Sequence, residues 1–369
     1  MGRFRGVELA ELTLSGERLD LRRWRPDDAD RVHEIMQDPT MREHLPLPDP
    51  YPHERARLFV ADLGHKGRDE GAGLGSAVVE RATGRVVGSA ALLLDGPADI
   101  AYWIAPDARG HGYAAEATGL LADWAFSTIG LHRIGLACHV GNTGSLRTAM
   151  AAGFLFEGVA RGASAYEVGD LARFGRLADD PGEPIAPAFP PLPGGELSDG
   201  VLALRPAVLD DATGFHESDD EVSVRWSFAG ERRTLAECER RMNQAALDWL
   251  VGRSAQCTIV DVATGHYVGE LQVRFGGPPG VVGVGYTVHP TFRGRGYTTR
   301  ALKLVVPWVF DVAGFARIEL GAKRDNVASQ RAAISAGFGP DGVRERRLRD
   351  ADGTFADEVC FVLINPRYR

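Results

Sequence analysis

The sequence predicts a mixed α/β protein made of two similar consecutive domains, and three observations support this fold class. The turn "RGHGYAAEA" at 109–117 recurs as "RGRGYTTRA" at 293–301, an offset of 184 residues. At that offset, positions 102–154 and 286–338 align without a gap and share 21 identities in 53 positions. A proline-rich stretch at 178–200, "ADDPGEPIAPAFPPLPGGELSDG", lies between the copies. Self-similarity of this length indicates that a whole domain is duplicated.

The proline-rich stretch marks the boundary between the domains. Its prolines exclude a regular helix or a central strand and favour an extended, semi-rigid connection. We place the N-terminal domain at 1–178, the linker at 179–198 and the C-terminal domain at 199–369. Few contacts are expected to depend on the linker.

The second copy shows the order of elements well. After an early strand and two helices, "AQCTIVDVATGHYVGELQVRF" has two β-branched runs divided by a hairpin signal, and "VVGVGYTVHP" is a strand ended by proline. "TTRALKLVVPWVF" has apolar residues at helical spacing, and Pro307 is expected to kink or end that helix. A strand, "ARIELGAK", and a helix, "VASQRAAISAGF", follow.

Composition excludes several classes of function. Apolar residues make up 44% of the chain and charged residues 25%, as in ordinary globular proteins. A net charge of −8 disfavours a nucleic-acid partner, which needs concentrated positive charge. No apolar run reaches the ~20 residues of a membrane span, and the first residues lack the pattern of a signal peptide. We expect a cytoplasmic protein with no nucleic-acid or membrane partner.

The four cysteines give no sign of a metal site. Cys138, Cys238, Cys257 and Cys360 form no C-x-x-C pair and have no histidine cluster nearby at metal-ligand spacing. We expect them to be small buried residues.

The glycine turn is a candidate binding site. Its glycines let a ligand approach the backbone, and the N–H groups at the start of the next helix suit an anionic phosphate. Arg109, Arg293 and Arg295 would strengthen that field. A purely structural turn is the alternative. A dinucleotide site is a minor one, because "GHGYAA" fits G-x-G-x-x-A but lacks the acidic residue expected about 20 positions later.

Four features together resemble the GNAT acyl-CoA N-acyltransferases, particularly the RimJ/RimL-like branch that acetylates protein N-termini and small amines. They are the strand ends "AYWIAP" and "GYTVHP", the glycine turns, two N-x-x-S pairs, and the endings "AAGF" and "SAGF". The resemblance implies two GNAT domains, each with a mixed, mostly antiparallel sheet flanked by helices.

The resemblance also implies a coenzyme A site in each half, with the turn on the pyrophosphate and the preceding strand on the pantetheine arm. The implied residues are Ile104, Arg109, Gly110, His111, Gly112, Tyr113, Ala114 and Asn142, and then Val288, Arg293, Gly294, Arg295, Gly296, Tyr297, Thr298 and Asn326. Thr298 departs from the small-residue pattern and would crowd the phosphate.

The N-x-x-S pairs, Asn142 with Ser145 and Asn326 with Ser329, have two compatible interpretations. Asparagine at a helix start accepts backbone N–H bonds, which gives a structural cap. The resemblance implies in addition that the serine hydroxyl donates a proton or hydrogen bond to the departing thiolate. Ser329 and Ser145 are therefore candidate catalytic residues.

The base is left unassigned. RimL-like enzymes carry a glutamate after the "EG" that follows the "GF" helix end, but the matching positions here are near Ser164 and Leu348. The second half offers four carboxylates on predicted strands that could act directly or through a water: Glu270, Glu319, Asp357 and Glu358. A carboxylate of this kind, taken alone, is more often a solvated or paired strand residue. These carboxylates favour the second half, whereas the more regular turn lies in the first, so both sites stay open.

The resemblance predicts a tandem N-acetyltransferase that uses acetyl-CoA or another short acyl-CoA. Its acceptor is a small-molecule amine or a peptide or protein N-terminus, attacked directly in a ternary complex without a metal. The alternative is a coenzyme-A-binding sensor or scaffold in which one or both halves no longer catalyse.

Overall fold

The computed structural model describes residues 12–164, 169–228, 231–275, 277–350 and 352–368. The chain forms two compact units, Met1–Ala186 and Pro187–Arg369. Of the predicted linker, residues 179–186 fall in the first unit and residues 187–198 in the second.

The first unit contains an eight-stranded mixed sheet. Its strands are Leu14–Ser15 (β1), Leu19–Arg22 (β2), Gly73–Glu80 (β3), Val86–Leu93 (β4), Asp99–Ile104 (β5), Arg133–His139 (β6), Leu155–Ala160 (β7) and Leu171–Leu177 (β8). Their order across the sheet is β1-β2-β3-β4-β5-β6-β8-β7. All neighbouring strands are antiparallel except β5 and β6, which are parallel.

Six helices accompany this sheet. They are Ala29–Gln37 (α1), Pro39–Arg42 (α2), His53–Leu58 (α3), Lys66–Glu70 (α4), Tyr113–Thr128 (α5) and Thr143–Ala151 (α6). The predicted helix after the glycine turn is α5, and the helix that begins at the N-x-x-S pair is α6.

The second unit repeats this sheet. Its strands are Leu197–Ser198 (β9), Leu202–Pro206 (β10), Ser254–Asp261 (β11), Tyr267–Phe275 (β12), Val281–Val288 (β13), Arg317–Lys323 (β14), Gly339–Arg349 (β15) and Phe355–Ile364 (β16). Their order from one edge is β9-β10-β11-β12-β13-β14-β16-β15, and again one central pair, β13 with β14, is parallel. The predicted mixed, mostly antiparallel sheets are confirmed.

The helices of the second unit follow the same plan. They are Ala212–Glu217 (α7), Glu221–Trp226 (α8), Leu235–Val251 (α9), Tyr297–Pro307 (α10) and Val327–Ser335 (α11). The helix α9 begins at a capping box, in which Thr234 and Glu237 each satisfy a backbone N–H of the other, and it ends at Gly252 in the left-handed conformation. Pro307 is the last α-helical residue of α10, as the sequence predicted, and a π-helical turn, Trp308–Val312, continues the chain.

The expectation that few contacts depend on the proline-rich stretch is wrong for its second part. Phe189 is completely buried in the core of the second unit. Its ring centroid lies 4.7 Å from that of Phe275 and 6.2 Å from that of Trp308. The indole N–H of Trp249 donates to the Phe189 carbonyl at 3.1 Å. Residues 187–198 are therefore an integral part of the C-terminal core.

Candidate functional site

The two glycine turns have the same unusual backbone. Gly110, Gly112, Gly294 and Gly296 have φ values of 80°, 76°, 76° and 79°, a region that other residues rarely adopt. A Cβ atom added to Gly294 or Gly296 would meet no atom within 4 Å. These glycines are therefore needed for their backbone conformation, and the surface beside them is open.

The helices that follow the turns present free N–H groups to this open surface. Gly112 and Gly296 are the N-cap residues of α5 and α10, and neither helix start has a side-chain cap. The first N–H groups of a helix have no intrahelical partner, and the helix dipole adds positive potential there. Arg295 is exposed beside the second turn, 5.4 Å from the ring of Phe292, with no ion pair to any described residue. The arrangement suits an anionic ligand.

The turn tyrosines and His111 brace the turns internally. The buried Tyr113 donates its hydroxyl hydrogen to Glu80, and the buried Tyr297 donates to Asp261. His111 is exposed, and its Nδ1 lies 2.9 Å from the carbonyl oxygen of its neighbour Arg109. Half-buried Ala114 and Thr298 follow the tyrosines in their helices. Any ligand contact by the helix residues Tyr113, Ala114, Tyr297 and Thr298 would be through their backbone.

Arg293, the first arginine of the second turn, contacts the residues at the start of α8. Arg293 donates from Nη1 and Nη2 to the Asp220 carboxylate at 2.7 Å each, and from Nη2 to the Ser223 hydroxyl at 2.8 Å. Its Nε donates to the Val288 carbonyl at 3.2 Å. These hydrogen bonds occupy almost the whole donor set of the guanidinium. One of the five N–H donors, on Nη1, is left for the phosphate contact that the sequence suggested for Arg293.

The parallel strand pair in each sheet separates towards the glycine turn. In the second unit, β13 and β14 are paired from Val281 with Arg317 to Gly283 with Glu319, and beyond these residues the two strands part. In the first unit, the pairing of β5 with β6 is limited to Asp99 and Gly135. Each sheet thus has a central opening, called here the split. Ile104 and Val288, the predicted pantetheine contacts, end the strands on one side of it.

The N-x-x-S pairs form the predicted helix caps. The Asn142 side-chain oxygen accepts from the Ser145 N–H at 3.0 Å, and that of Asn326 accepts from the Ser329 N–H at 3.1 Å. The side chains of both asparagines are thereby committed to capping α6 and α11. The capping interpretation is confirmed, and it places each serine in the first turn of its helix.

A tyrosine on the split strand contacts each serine. The Tyr286 hydroxyl lies 2.8 Å from the Ser329 hydroxyl oxygen and donates to the Ser329 carbonyl at 3.3 Å. In the first unit, Tyr102 donates to the Ser145 carbonyl at 3.3 Å. Burial raises the pKa of Tyr286, so its phenol stays protonated near neutral pH. Sequence reasoning missed these tyrosines as functional residues, although each is part of the quoted strand-end motif.

The candidate bases of the second unit lie at different depths. Glu270 is buried and pairs in register with Thr258 on one side and Thr287 on the other. Thr287 is four residues beyond the last paired residue of β13, and Lys323 is four beyond that of β14. Residues in register on neighbouring strands share a sheet face, so Glu270 lies at the level of the split.

All four candidate carboxylates are engaged in ion pairs, Glu270 with Arg241 at 3.5 Å. Glu319 lies in the paired part of β14 and contacts Arg317 at 2.9 Å and Arg344 at 3.4 Å. The Arg344 side chain also contacts Glu358, which is buried and in register with Lys323. Asp357 pairs with Arg324 at 2.9 Å. Glu319 is therefore distant in register from the open part of the split, and Glu270 has the better position.

Comparison with known families identifies the two units. A family model described as the acetyltransferase (GNAT) domain matches residues 18–155 and again residues 202–339, together more than half of the chain. The chain belongs to the GNAT acetyltransferase family. It is a tandem GNAT protein and an acyl-CoA-dependent N-acetyltransferase, and the fold and family that its motifs resemble are confirmed.

Individual relatives match one GNAT domain each. The probable N-acetyltransferase YjcK of Bacillus subtilis (strain 168) is 25% identical over 151 residues, which is 38% of this chain and 75% of that protein. The uncharacterized N-acetyltransferase p20 of Bacillus licheniformis is 28% identical over 153 residues, 40% of this chain and 85% of that protein. Mycobacterium smegmatis RimJ in complex with CoA-disulfide is 23% identical, covers 50% of this chain and 91% of its own, and has a TM-score of 0.44.

The second GNAT domain has a cleft of about 710 Å³ beside the split. Its walls come from the helix α8, the end of β14 with the next two residues, and the β15–β16 hairpin. Five carboxylates line it: Glu221, Asp325, Asp350, Asp352 and Asp357. Three cationic side chains line it: Arg225, Lys323 and Arg324. Trp226, Val224 and Phe355 add apolar surface, and the cleft lies directly before the Asn326 cap of the serine helix.

Other groups predicted from composition are located as follows. All four cysteines are buried, as expected. In the described part of the chain, His, Cys, Asp and Glu side chains do not come together in threes that could hold a metal ion. None of the described helices combines the length and apolar character that crossing a membrane needs. Residues 1–11, on which the expectation of a missing signal peptide rests, lie outside the described residues.

Proposed function

We propose that the C-terminal GNAT domain transfers an acetyl or other short acyl group to a primary amine in a ternary complex, by direct attack. The observation that carries this assignment is the presence, at one split, of a serine hydroxyl contacted by a half-buried phenol and of a buried carboxylate at the same level. These groups are Ser329 and Glu270. Acetyl-CoA supplies the acyl group, activated as a thioester.

The turn of this domain fits coenzyme A. Its open left-handed glycines, the uncapped start of α10 and the unpaired Arg295 offer backbone N–H groups and one positive charge to a pyrophosphate. The N-terminal domain has the same turn, with His111 in place of Arg295. We therefore propose one coenzyme A site in each domain.

Ser329 is the proposed donor to the departing sulfur. Its hydroxyl lies 2.8 Å from that of Tyr286. The single phenol hydrogen can be donated either to the Ser329 carbonyl or to the Ser329 hydroxyl, and in the second arrangement the serine hydrogen is free to be donated to the sulfur. A thiol has a pKa of about 8.5, so the leaving group needs moderate help only. Direct attack agrees with the state of the cysteines, because burial raises the pKa of Cys138 and of Cys257 to about 12 and keeps both thiols protonated.

Glu270 is the proposed acceptor of the amine proton, directly or through a water. Its carboxylate accepts from the Gln256 side-chain amide and lies 3.5 Å from Arg241. An α-amine with a pKa of about 7.7 to 8.0 costs only about 1 kcal/mol to deprotonate at pH 7, whereas a lysine-like amine costs about 4.6 kcal/mol. A carboxylate base is adequate for the first kind of amine.

The N-terminal domain lacks this pair of groups. The positions in register that correspond to Thr258, Glu270 and Thr287 are Ala77, Ser89 and Trp103. At the end of β6, His139 accepts on Nδ1 from the Gly141 N–H at 3.2 Å, so its neutral ring carries the proton on Nε2. We propose that this domain binds coenzyme A and does not carry the main transferase activity.

The cleft favours an acceptor that carries a second positive charge. Lys323 neutralises Asp350 at 2.6 Å and Arg324 neutralises Asp357 at 2.9 Å. The rest of the charged lining is three carboxylates, Glu221, Asp325 and Asp352, and one cationic side chain, Arg225. Because the attacking amine must be neutral, these carboxylates would attract another cationic group of the acceptor. A diamine or the N-terminus of a basic peptide has this chemistry.

A matched pair of acceptors tests the proposal. Thiol release from acetyl-CoA is measured with norleucinamide and with lysinamide, two α-amines whose side chains differ only in one terminal amine, so that lysinamide is the diamine of the pair. We expect the diamine to have a kcat/KM higher by roughly fivefold to tenfold, because each ion pair in a partly exposed cleft contributes ~1 kcal/mol. Added salt should reduce the ratio. Asp352→Asn should also reduce it, whereas Glu239→Gln, on exposed α9 surface outside the cleft, should not.

The two parts of the proposal fail differently in this experiment. If no amine, including a panel of peptide N-termini, stimulates thiol release, the assignment of activity to the C-terminal site is wrong. If the monoamine and the diamine react equally well, only the acceptor class is wrong.

A further inference from the structure

The helix α8, which we call the acceptor-wall helix, is held at its start by one carboxylate. Asp220 is its N-cap residue and accepts from the Ser223 N–H at 2.8 Å. The same carboxylate receives both terminal nitrogens of Arg293 at 2.7 Å each. Such bidentate, charge-assisted pairs are among the stronger side-chain hydrogen bonds. The position of the acceptor-wall helix is therefore set jointly by its cap and by Arg293.

The other end of the Arg293 side chain is fixed to the coenzyme side of the domain. Arg293 is the first residue of the glycine turn, and its Nε donates to the carbonyl of Val288, the last residue of β13. One side chain thus connects the strand at the split, the turn and the acceptor-wall helix. Four residues of that helix line the cleft: Glu221, Val224, Arg225 and Trp226.

The N-terminal domain repeats this arrangement with neutral partners. Arg109 donates from Nε to the Ile104 carbonyl at 3.4 Å, and from Nη1 to the Thr40 hydroxyl at 3.0 Å. Thr40 lies in α2 and donates in turn to its N-cap residue, Asp38, at 2.7 Å. Two copies that share little sequence in these helices both direct the turn arginine at them. The contact is therefore a property of the fold in this chain.

We infer that Arg293 is a positioning residue, which fixes the acceptor-wall helix to the coenzyme turn, and is not a ligand of the coenzyme. The inference rests on the proposed function in one respect, that the cleft holds the acceptor. Arg293 thus joins the glycine turn and one wall of the cleft into a single unit. Loss of Arg293 should therefore weaken acceptor binding and leave the anion site intact.

The Arg293–Asp220 pair is not a pH switch. Hydrogen bonding from Arg293 is the main cause that holds the pKa of Asp220 far below its usual value. A carboxylate with a lowered pKa contributes stability above its unfolded pKa of about 3.9 and loses it only as the pH falls further. No titratable side chain other than Asp220 contacts Arg293 within the described residues. The pair therefore stays ionic at the pH of any amine-transfer assay.

The test compares three changes in the full chain. Arg293→Ala removes the connection, Asp220→Asn removes its charge while asparagine still caps the helix, and Arg295→Ala removes the free cation at the turn. Coenzyme A binding is measured by calorimetry, the acceptor KM by thiol release, and the protection of the 221–226 amides by hydrogen exchange. Arg300→Ala is the control. Arg300 lies on α10, and this change breaks its 2.7 Å pair with Asp199 without touching α8.

We expect the acceptor and coenzyme effects to separate. Arg293→Ala and Asp220→Asn should each raise the acceptor KM about tenfold and speed amide exchange in α8 by a similar factor. The reason is that each change removes a hydrogen-bonded charge pair. The double variant should be no worse than either single one, since both remove the same interaction. Arg293→Lys, which keeps the charge but not the bidentate geometry, should restore part of the KM. Arg295→Ala should instead weaken coenzyme A binding.

Two results would overturn the inference. One is a loss of coenzyme affinity in Arg293→Ala as large as that in Arg295→Ala, with an unchanged acceptor KM. The other is unchanged amide exchange in α8. If the unaltered chain transfers no acetyl group, the proposed function falls, but binding and hydrogen exchange still decide the role of Arg293.

Discussion

The two GNAT domains differ most on the sheet face that bears Glu270. In the C-terminal domain, two rows of residues in register read Thr258, Glu270, Thr287 and Gln256, Gln272, Gly285. The corresponding rows of the N-terminal domain read Ala77, Ser89, Trp103 and Gly75, Ala91, Ala101. One face is polar and charged, and the other is made of small residues and one indole.

The side of each domain that bears the glycine turn is, in contrast, similar in the two domains. Each domain has two left-handed turn glycines, a buried turn tyrosine, the split, and the asparagine cap of the serine helix. Duplication has therefore preserved the groups suited to a common cosubstrate and changed the groups suited to an acceptor. Under the proposed function, the two domains share the acyl donor and differ in what they acylate, or in whether they do so.

The largest expected effect concerns stability and tests whether the domains are independent. Phe189→Ala should destabilise the C-terminal unit by about 3 to 5 kcal/mol, because a fully buried aromatic ring is replaced by a cavity. The N-terminal unit should be unaffected. Unfolding followed by a probe in each unit would measure this, with exposed Pro187→Ala as the control. Equal destabilisation of both units would show that they unfold together.

The next effect concerns the divergent face. Glu270→Gln should lower the acetyl-transfer rate by at least about 100-fold if the carboxylate is the base, since general bases contribute ~10²–10⁴-fold. Glutamine preserves the volume and removes the charge that pairs with Arg241 at 3.5 Å. Coenzyme affinity serves as the folding control. Ser89→Ala, at the matching N-terminal position, should leave the rate unchanged. A loss caused by Ser89→Ala and not by Glu270→Gln would reverse the assignment of the active domain.

The serines provide a smaller difference. Ser329→Ala should lower the rate by at least about tenfold, a barrier change of roughly 1.4 kcal/mol, and leave coenzyme affinity nearly intact. Ser145→Ala should have little effect. Initial rates and calorimetry on both variants decide the matter. If Ser329→Ala lowers only the melting temperature, the residue is a structural part of the cap; if Ser145→Ala alone stops turnover, the N-terminal domain is the active one.

The smallest expected effect comes from removing the Tyr286 hydroxyl alone. Tyr286→Phe should lower the rate by about threefold to tenfold, because a hydrogen bond between neutral groups contributes ~0.5–1.5 kcal/mol. Tyr102→Phe, whose contact is to a serine carbonyl, should not change it. In a Ser329→Ala background the Tyr286→Phe effect should disappear, and its persistence there would mean that the phenol acts independently of the serine.

Features encoded by adjacent residues could be predicted from the sequence. The turn glycines, the asparagine caps, the strand-ending prolines and the end of α10 at Pro307 depend on a few neighbouring positions. The duplication showed all of them twice except Pro307, whose counterpart in the first copy is Asp123. The overall fold followed from the same motifs. Buried cysteines followed from their type and spacing alone.

Features that depend on strand register or on distant partners could not be predicted. The level of Glu270 relative to the split depends on which residues pair across three strands, and sequence alone ranked it equally with Glu319. The contact of Arg293 with Asp220 was missed because the two residues lie 73 positions apart. Phe189 was assigned to a linker because proline content says nothing about the single aromatic side chain within it.

The left-handed glycines also limit what mutational scanning can reveal. At Gly110, Gly294 and Gly296 any other side chain would project into open space, yet it would still force a backbone conformation that costs roughly 1–2 kcal/mol. A variant library across the turns would thus show uniform intolerance at these positions whether or not a ligand binds there. Sensitivity at the neighbouring Arg295 and His111, whose side chains bear no such constraint, is the informative signal for ligand contact.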